Sequence, residues 1–178
     1  MKEGQLNYII ENEKWKFYFF DYLNRYFFLV VPIGFVILGI YPLFDKDILN
    51  KFSLAGFYSF FPFWFLSIGI SLLVYSYRRI ESERKFRKIE VQKEIQTSEL
   101  TSLLAELEWS IEDVKQNYIV AETDWSAFSW GEEITIVLCR GYLLINSRAI
   151  GSQPFTLGRD IYNFKRLREY LELRLLAR

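Results

Sequence analysis

The stretch Phe27-Phe-Leu-Val-Val-Pro-Ile-Gly-Phe-Val-Ile-Leu-Gly-Ile-Tyr-Pro-Leu-Phe44 carries no charge, and neither does Phe57-Tyr-Ser-Phe-Phe-Pro-Phe-Trp-Phe-Leu-Ser-Ile-Gly-Ile-Ser-Leu-Leu-Val-Tyr75. Each is close to the ~20 residues with which a helix crosses a ~30 Å hydrocarbon core. A core helix of a water-soluble domain keeps a polar stripe at period 3.6, and neither stretch has one. Two transmembrane helices are therefore predicted.

The flanking charges orient them. After the second stretch come Arg78, Arg79, Arg84, Lys85, Arg87 and Lys88, and before the first come Lys14, Lys16 and Arg25. The segment between, Asp45–Gly56, has only Lys46 and Lys51 as cations. Lys and Arg concentrate on the cytoplasmic side. The expectation is a helical hairpin in a bacterial inner membrane, multi-pass, with both termini cytoplasmic. Aromatic residues at the ends, among them Tyr26, Tyr41, Tyr58 and Tyr77, suit the interface. No Asp, Glu, Lys or Arg falls within either stretch, which argues against an ion or proton path through one copy. Residues 1–26 carry mixed charges and no cleavable apolar core, so the first span is expected to remain in the mature chain.

Lys and Arg number 22, as do Asp and Glu, so nothing in the overall charge suggests nucleic acid as a partner. The chain has no histidine, which removes the commonest general base and all His-containing zinc sites. Its one cysteine, Cys139, follows Ile136, Val137 and Leu138 and reads as a buried strand residue. The carboxylates, including Glu132-Glu133 beside Gly131, read as solvated turn chemistry, and no phosphate loop or nucleophile motif is present. No catalytic residue, metal site or cofactor is expected, and the chain is read as a non-enzyme.

Four segments follow from this reading. Residues 1–26 combine a short β-favouring run, Leu6–Ile10, with an amphipathic helix over 11–26 in which Trp15, Tyr18, Phe19, Tyr22, Leu23 and Tyr26 keep a 3/4 spacing. Residues 27–76 form the hairpin. Residues 77–97 form a basic juxtamembrane helix that can meet anionic lipid headgroups. Residues 98–178 form a cytoplasmic domain, opened by either a helix over Leu100–Leu107 or a strand from Leu104 to Ile111.

Beyond Leu107 the apolar period changes to two. Tyr118–Thr123, Trp125–Trp130, Glu133–Cys139 and Tyr142–Asn146 read as strands, with Arg140-Gly141 as a tight turn and Glu112-Asp113 as a turn for the earlier pair. Ile134, Ile136 and Leu138 are expected to face the core. Phe155-Thr156-Leu157 reads as a further short strand. Asp160–Leu176 reads as a closing helix, capped by Asp160, with Ile161, Phe164, Leu167 and Tyr170 or Leu171 marking its turns. The fold class is thus a membrane protein of α+β type, a two-helix hairpin plus a small antiparallel β-roll closed by a C-terminal helix.

The order of these segments, with Thr123-Asp124-Trp125-Ser126-Ala127-Phe128 and Ile150-Gly151-Ser152-Gln153-Pro154-Phe155 before the last helix, resembles the YcxB-like family of bacterial membrane proteins. Trp125 and Pro154 would occupy that family's strand and pre-helix positions, although no lysine follows the proline here. The resemblance implies a half-sized pleckstrin-homology-like roll and names no activity. Beyond what the resemblance implies, the Leu6–Ile10 strand is expected to pair with the roll's sheet.

Two functions compete at this level. One is a membrane-anchored binding or regulatory module at the inner leaflet, with lipid headgroups, a protein or a second copy as partner. The other is a two-span effector gated by a cyclic nucleotide. The candidate binding surface for either is Trp125, Trp130, Arg140, Tyr142, Arg148 and Arg159, since aromatics stack and arginines take anions.

Overall fold

A computed structural model of the chain describes residues 1–44, 60–91, 95–124, 131–150, 156 and 158–176. The chain divides into two compact units, Tyr18–Ile80 and a second made of Met1–Phe17 with Glu81–Arg178.

The first unit is helical. Helix α2 (Phe19–Tyr26) passes through a 3-10 turn, Phe27–Leu29, into helix α3 (Val30–Phe44). Together Phe19–Phe44 make one run of mean hydropathy 2.4, long and apolar enough to cross a membrane. It is the one such run among the described residues. Asp21 accepts the Tyr18 backbone N–H at 2.9 Å, which starts α2. Helix α4 (Phe61–Glu83) returns alongside. Ring pairs Tyr26–Tyr77 and Phe35–Phe65 show that it runs antiparallel to α2 and α3. The backbones touch at two glycines. A Cβ on Gly39 would lie 2.7 Å from the Leu66 nitrogen, and one on Gly69 would lie 2.8 Å from that of Val36. Only glycine permits this approach.

The second unit is built on a five-stranded antiparallel sheet in the order β1-β5-β4-β3-β2. Its strands are β1 (Arg87–Glu90), β2 (Ser110–Lys115), β3 (Tyr118–Glu122), β4 (Glu132–Cys139) and β5 (Tyr142–Ala149). Helix α1 is Glu3–Asn12, α5 is Thr97–Glu106, and α6 is Arg159–Leu171, continued by a looser turn over Glu172–Leu176. One sheet face, with Ile119, Ala121, Ile134, Ile136, Leu143 and Ile145, packs under Leu100, Leu103 and Leu104 of α5 and Leu167 and Leu171 of α6. The other face, with Tyr118, Val137 and Leu144, is covered by Ile9 of α1, Trp15 and Phe86. A sheet covered on both sides explains why Thr135 and Val137 are as buried as Ile134 and Ile136 between them.

Several sequence expectations are corrected. Leu6–Ile10 is not a strand paired to the sheet but part of α1, lying on the sheet's face. Helical spacing puts Leu6 and Ile9 on one side, where Ile9 is fully buried, a gain of about 2 kcal/mol that the alternation of a strand would forfeit. The helix expected over 11–26 is broken by Glu13, whose φ of 51° ends α1, and by a bridge between Lys14 and Lys85. Trp15 consequently belongs to the domain core and not to an interfacial helix.

The helix expected over 77–97 ends at Glu83, because Lys88 and Glu90 alternate with buried Ile89 and Val91 and so favour β1. Glu112-Asp113 is no turn but lies within β2 at a bulge, and Gln116-Asn117 makes the turn. Asp160 does not cap α6: Gly158 does, at φ +97°, and Asp160 occupies the first turn. On α6 the buried positions are Asp160, Asn163, Leu167 and Leu171, while Ile161 is exposed. The runs Trp125–Trp130 and Asp45–Gly56, together with Phe155 and Leu157, lie outside the described residues, and Thr156 is buried outside any strand.

The helix Leu100–Leu107, the strands Tyr118–Thr123, Glu133–Cys139 and Tyr142–Asn146, and the Arg140-Gly141 turn are present within one to three residues.

Candidate functional site

The predicted arginines do not converge. Arg140 sits at the β4–β5 turn, whereas Arg148 lies near the far end of β5. Seven residues of strand separate Arg148 from that turn, about 23 Å at the rise of an extended chain. Each of the others has a structural task. The Arg148 Nε donates to Glu133 Oε1 at 2.7 Å, and its guanidinium lies 4.4 Å from the Trp15 ring centre. Arg159 pairs at 3.2 Å with Glu132, a fully buried carboxylate that also accepts from Thr123 Oγ1 at 2.8 Å. Trp125 and Trp130 lie outside the described residues.

Tyr142 is opposite Cys139 across the tight turn, where Gly141 takes φ +83°. Burial pushes the Cys139 thiol up from its ordinary value, and hydrogen bonding to Cys139 pushes the Tyr142 hydroxyl up. Both therefore stay neutral at physiological pH, and Cys139 is not an activated nucleophile. Beside this turn an open cleft of about 590 Å³ runs from Gln96 and Thr97 at the start of α5 to Arg140, floored by Leu138 and Leu143. Tyr118 on the opposite sheet face donates to Asp113 Oδ2 at 2.8 Å, and burial with this bond raises its pKa.

The basic run divides into two populations. Arg84 turns inward, bonded to Glu81 at 2.9 Å and lying 4.7 Å from the Phe17 ring centre. Arg87 also turns inward, onto Asp160 at 3.1 Å and the face of Phe164. Lys88 lies over the Tyr142 ring at 4.5 Å. Arg78, Lys85, Lys14 and Lys16 are exposed. Within β1, strand alternation sends Arg87 and Lys88 to opposite faces, which a helical reading of 77–97 hides.

The residues that sequence reasoning missed connect the chain's two crossings into this unit. Trp15 Nε1 donates to Asn146 Oδ1 at 2.8 Å, and Asn146 Nδ2 donates to the carbonyls of Glu83 at 2.7 Å and Lys85 at 2.9 Å. Glu83 Oε1 accepts from the Thr156 backbone N–H at 2.6 Å, and Thr156 Oγ1 contacts Asp160 Oδ1 at 2.9 Å. The segments before α2 and after α4 are thus tied to β5 and to the start of α6. No local signal marks Asn146 for this role, because its partners are far away in sequence.

No family model matches the chain, and no curated protein matches it.

Proposed function

We propose that the chain is a two-span inner-membrane protein whose α+β unit acts at the cytoplasmic leaflet as a non-enzymatic binding and regulatory module. The observation that carries this reading is the exposure of large apolar side chains along both helices of the first unit. Phe44 is 85 % exposed, and Val30, Val31, Ile37, Leu38, Phe63, Trp64, Ile70 and Tyr75 are all exposed as well. Water-soluble proteins do not leave such continuous apolar surface uncovered, whereas a bilayer solvates it. The excess of basic residues flanking the helices supports a reading with both termini inside, and the resemblance to YcxB-like proteins fits a small roll carried by a hairpin. The absence of histidine, the commonest general base, favours binding over catalysis.

Alkaline carbonate extraction of membranes tests the anchoring. The chain is expected in the pellet, and a dispersed, folded chain in detergent-free supernatant refutes the proposal. A green fluorescent protein fused after Arg178 tests orientation. Fluorescence is expected, and export of the fusion instead refutes the cytoplasmic placement.

A further inference from the structure

Lys14 and Lys85 face one another in a single antiparallel bridge. The flanking bonds run from Trp15 N–H to the Arg84 carbonyl at 2.9 Å and from Phe86 N–H to the Glu13 carbonyl at 2.7 Å. This is the non-hydrogen-bonded kind of pair, in which Cα atoms come to about 4.5 Å and both side chains leave on the same side. Trp15 and Phe86, the next residue on each strand, are buried, so the lysines point away from that core cluster, and both are exposed. Among the described residues neither has a carboxylate within ion-pair distance. Like charges directly opposite are destabilising, and this bridge has no ladder beyond it to offset the cost.

The position matters as much as the charge. Lys14 precedes α2 by five residues, and Lys85 follows the end of α4 by two. We propose that the Lys14–Lys85 pair is a phosphate clamp that takes the headgroup of an anionic phospholipid, both ammonium groups donating to one phosphodiester. Lysine serves as a point charge for phosphate, and one anion between the two turns their repulsion into attraction.

A headgroup is the occupant because the pair lies on an open surface. A free phosphate would meet two solvated ammonium groups in screened water and gain little. A lipid beside the chain's own membrane helices is held at high effective concentration. The inference rests on the membrane reading above and adds the partner's chemistry and the two residues that meet it.

The test uses the full chain in nanodiscs of phosphatidylcholine, with or without an equal share of phosphatidylglycerol. Lysines are acylated with an amine-reactive ester and quantified by mass spectrometry. Phosphatidylglycerol should reduce labelling of Lys14 and Lys85 about fivefold, with Lys115, which is 65 % exposed, as the unchanged internal standard. Inorganic phosphate added to neutral discs should not reproduce this. Lys85→Gln should raise the melting temperature in neutral discs and lower it in anionic ones. Equal labelling in both discs, protection by inorganic phosphate alone, or the same sign for Lys85→Gln in both overturns the clamp while the membrane reading stands. A chain that never enters discs overturns both.

Discussion

The indole nitrogen of Trp15 donates a 2.8 Å hydrogen bond to the side-chain oxygen of Asn146, 131 positions away in the chain. Both residues are at most 5 % exposed, and the Asn146 amide is spent on the carbonyls of Glu83 and Lys85. One side chain thus satisfies two buried groups and a half-buried one from the two segments that flank the apolar helices. Asn146→Ala leaves those groups without their partner, and a loss of about 2–4 kcal/mol is expected. Trp15→Phe keeps one aromatic ring but loses the bond and the rest of the buried indole, for about 1–2 kcal/mol. Denaturant titration in detergent, followed by tryptophan fluorescence or circular dichroism, measures both. Equal losses from the two variants would deny Asn146 its wider role.

The helix pair makes a sharper steric claim. A methyl group on Gly39 meets the backbone of Leu66 and Pro62, whereas one on Gly34 meets nothing within 4 Å. Gly39→Ala should therefore cost about 1–3 kcal/mol by overpacking. Gly34→Ala should be neutral or gain up to about 1 kcal/mol from helix propensity. Unfolding by sodium dodecyl sulfate from mild detergent ranks the two. A Gly39→Ala protein as stable as Gly34→Ala contradicts the close approach of α3 and α4.

The pair of buried Glu132 with half-buried Arg159 is a structural contact, and its variants should show this. Arg159→Ala strips the guanidinium from a carboxylate with no exposed surface, at an expected cost of about 3 kcal/mol. Adding Glu132→Gln removes the charge that needed it, and the double variant should recover part of the loss. Thermal melts of the four proteins give the coupling. Strict additivity would show that the two groups act independently.

Much of the sheet was legible because Ile134, Ile136 and Leu138 alternate with their neighbours, and because Arg140-Gly141 marks a turn by residue type alone. For α5 the sequence leaves a helix over Leu100–Leu107 and a strand from Leu104 to Ile111 side by side, and packing of Leu100, Leu103, Leu104 and Leu107 under the sheet decides for the helix. What failed was long-range. Leu6–Ile10 is β-favouring by composition, yet the face formed by Val137 and Leu144 buries a helical stripe better. Trp15 fits an interfacial helix by spacing, until Lys14 bridges to Lys85 and turns the indole inward. The arginines of the expected binding surface share a residue type, but the strand register sends Arg140 and Arg148 to opposite ends of one hairpin, and Glu133 engages Arg148.

Acidic residues crowd the outer part of the sheet, and this sets a pH dependence. Glu122 on β3 is in register with Glu133 on β4, and burial, then the charges of Glu112 and Glu133, push its carboxyl above the ordinary range. The native state therefore holds the Glu122 proton more tightly than the unfolded chain, whose value is about 4.3. Stability from this group is complete below that pH and is lost as pH rises through the higher native value, so the full penalty applies at neutrality. Glu122→Gln should melt at a higher temperature than the parent chain at pH 7, a stabilisation of less than about 1 kcal/mol for this half-buried group. The gap should close as the pH falls below the ordinary glutamate range, where the parent carries the proton anyway. Differential scanning calorimetry of both proteins across that interval decides the matter: a gap that stays constant, or widens in acid, excludes charge repulsion at Glu122 as its source.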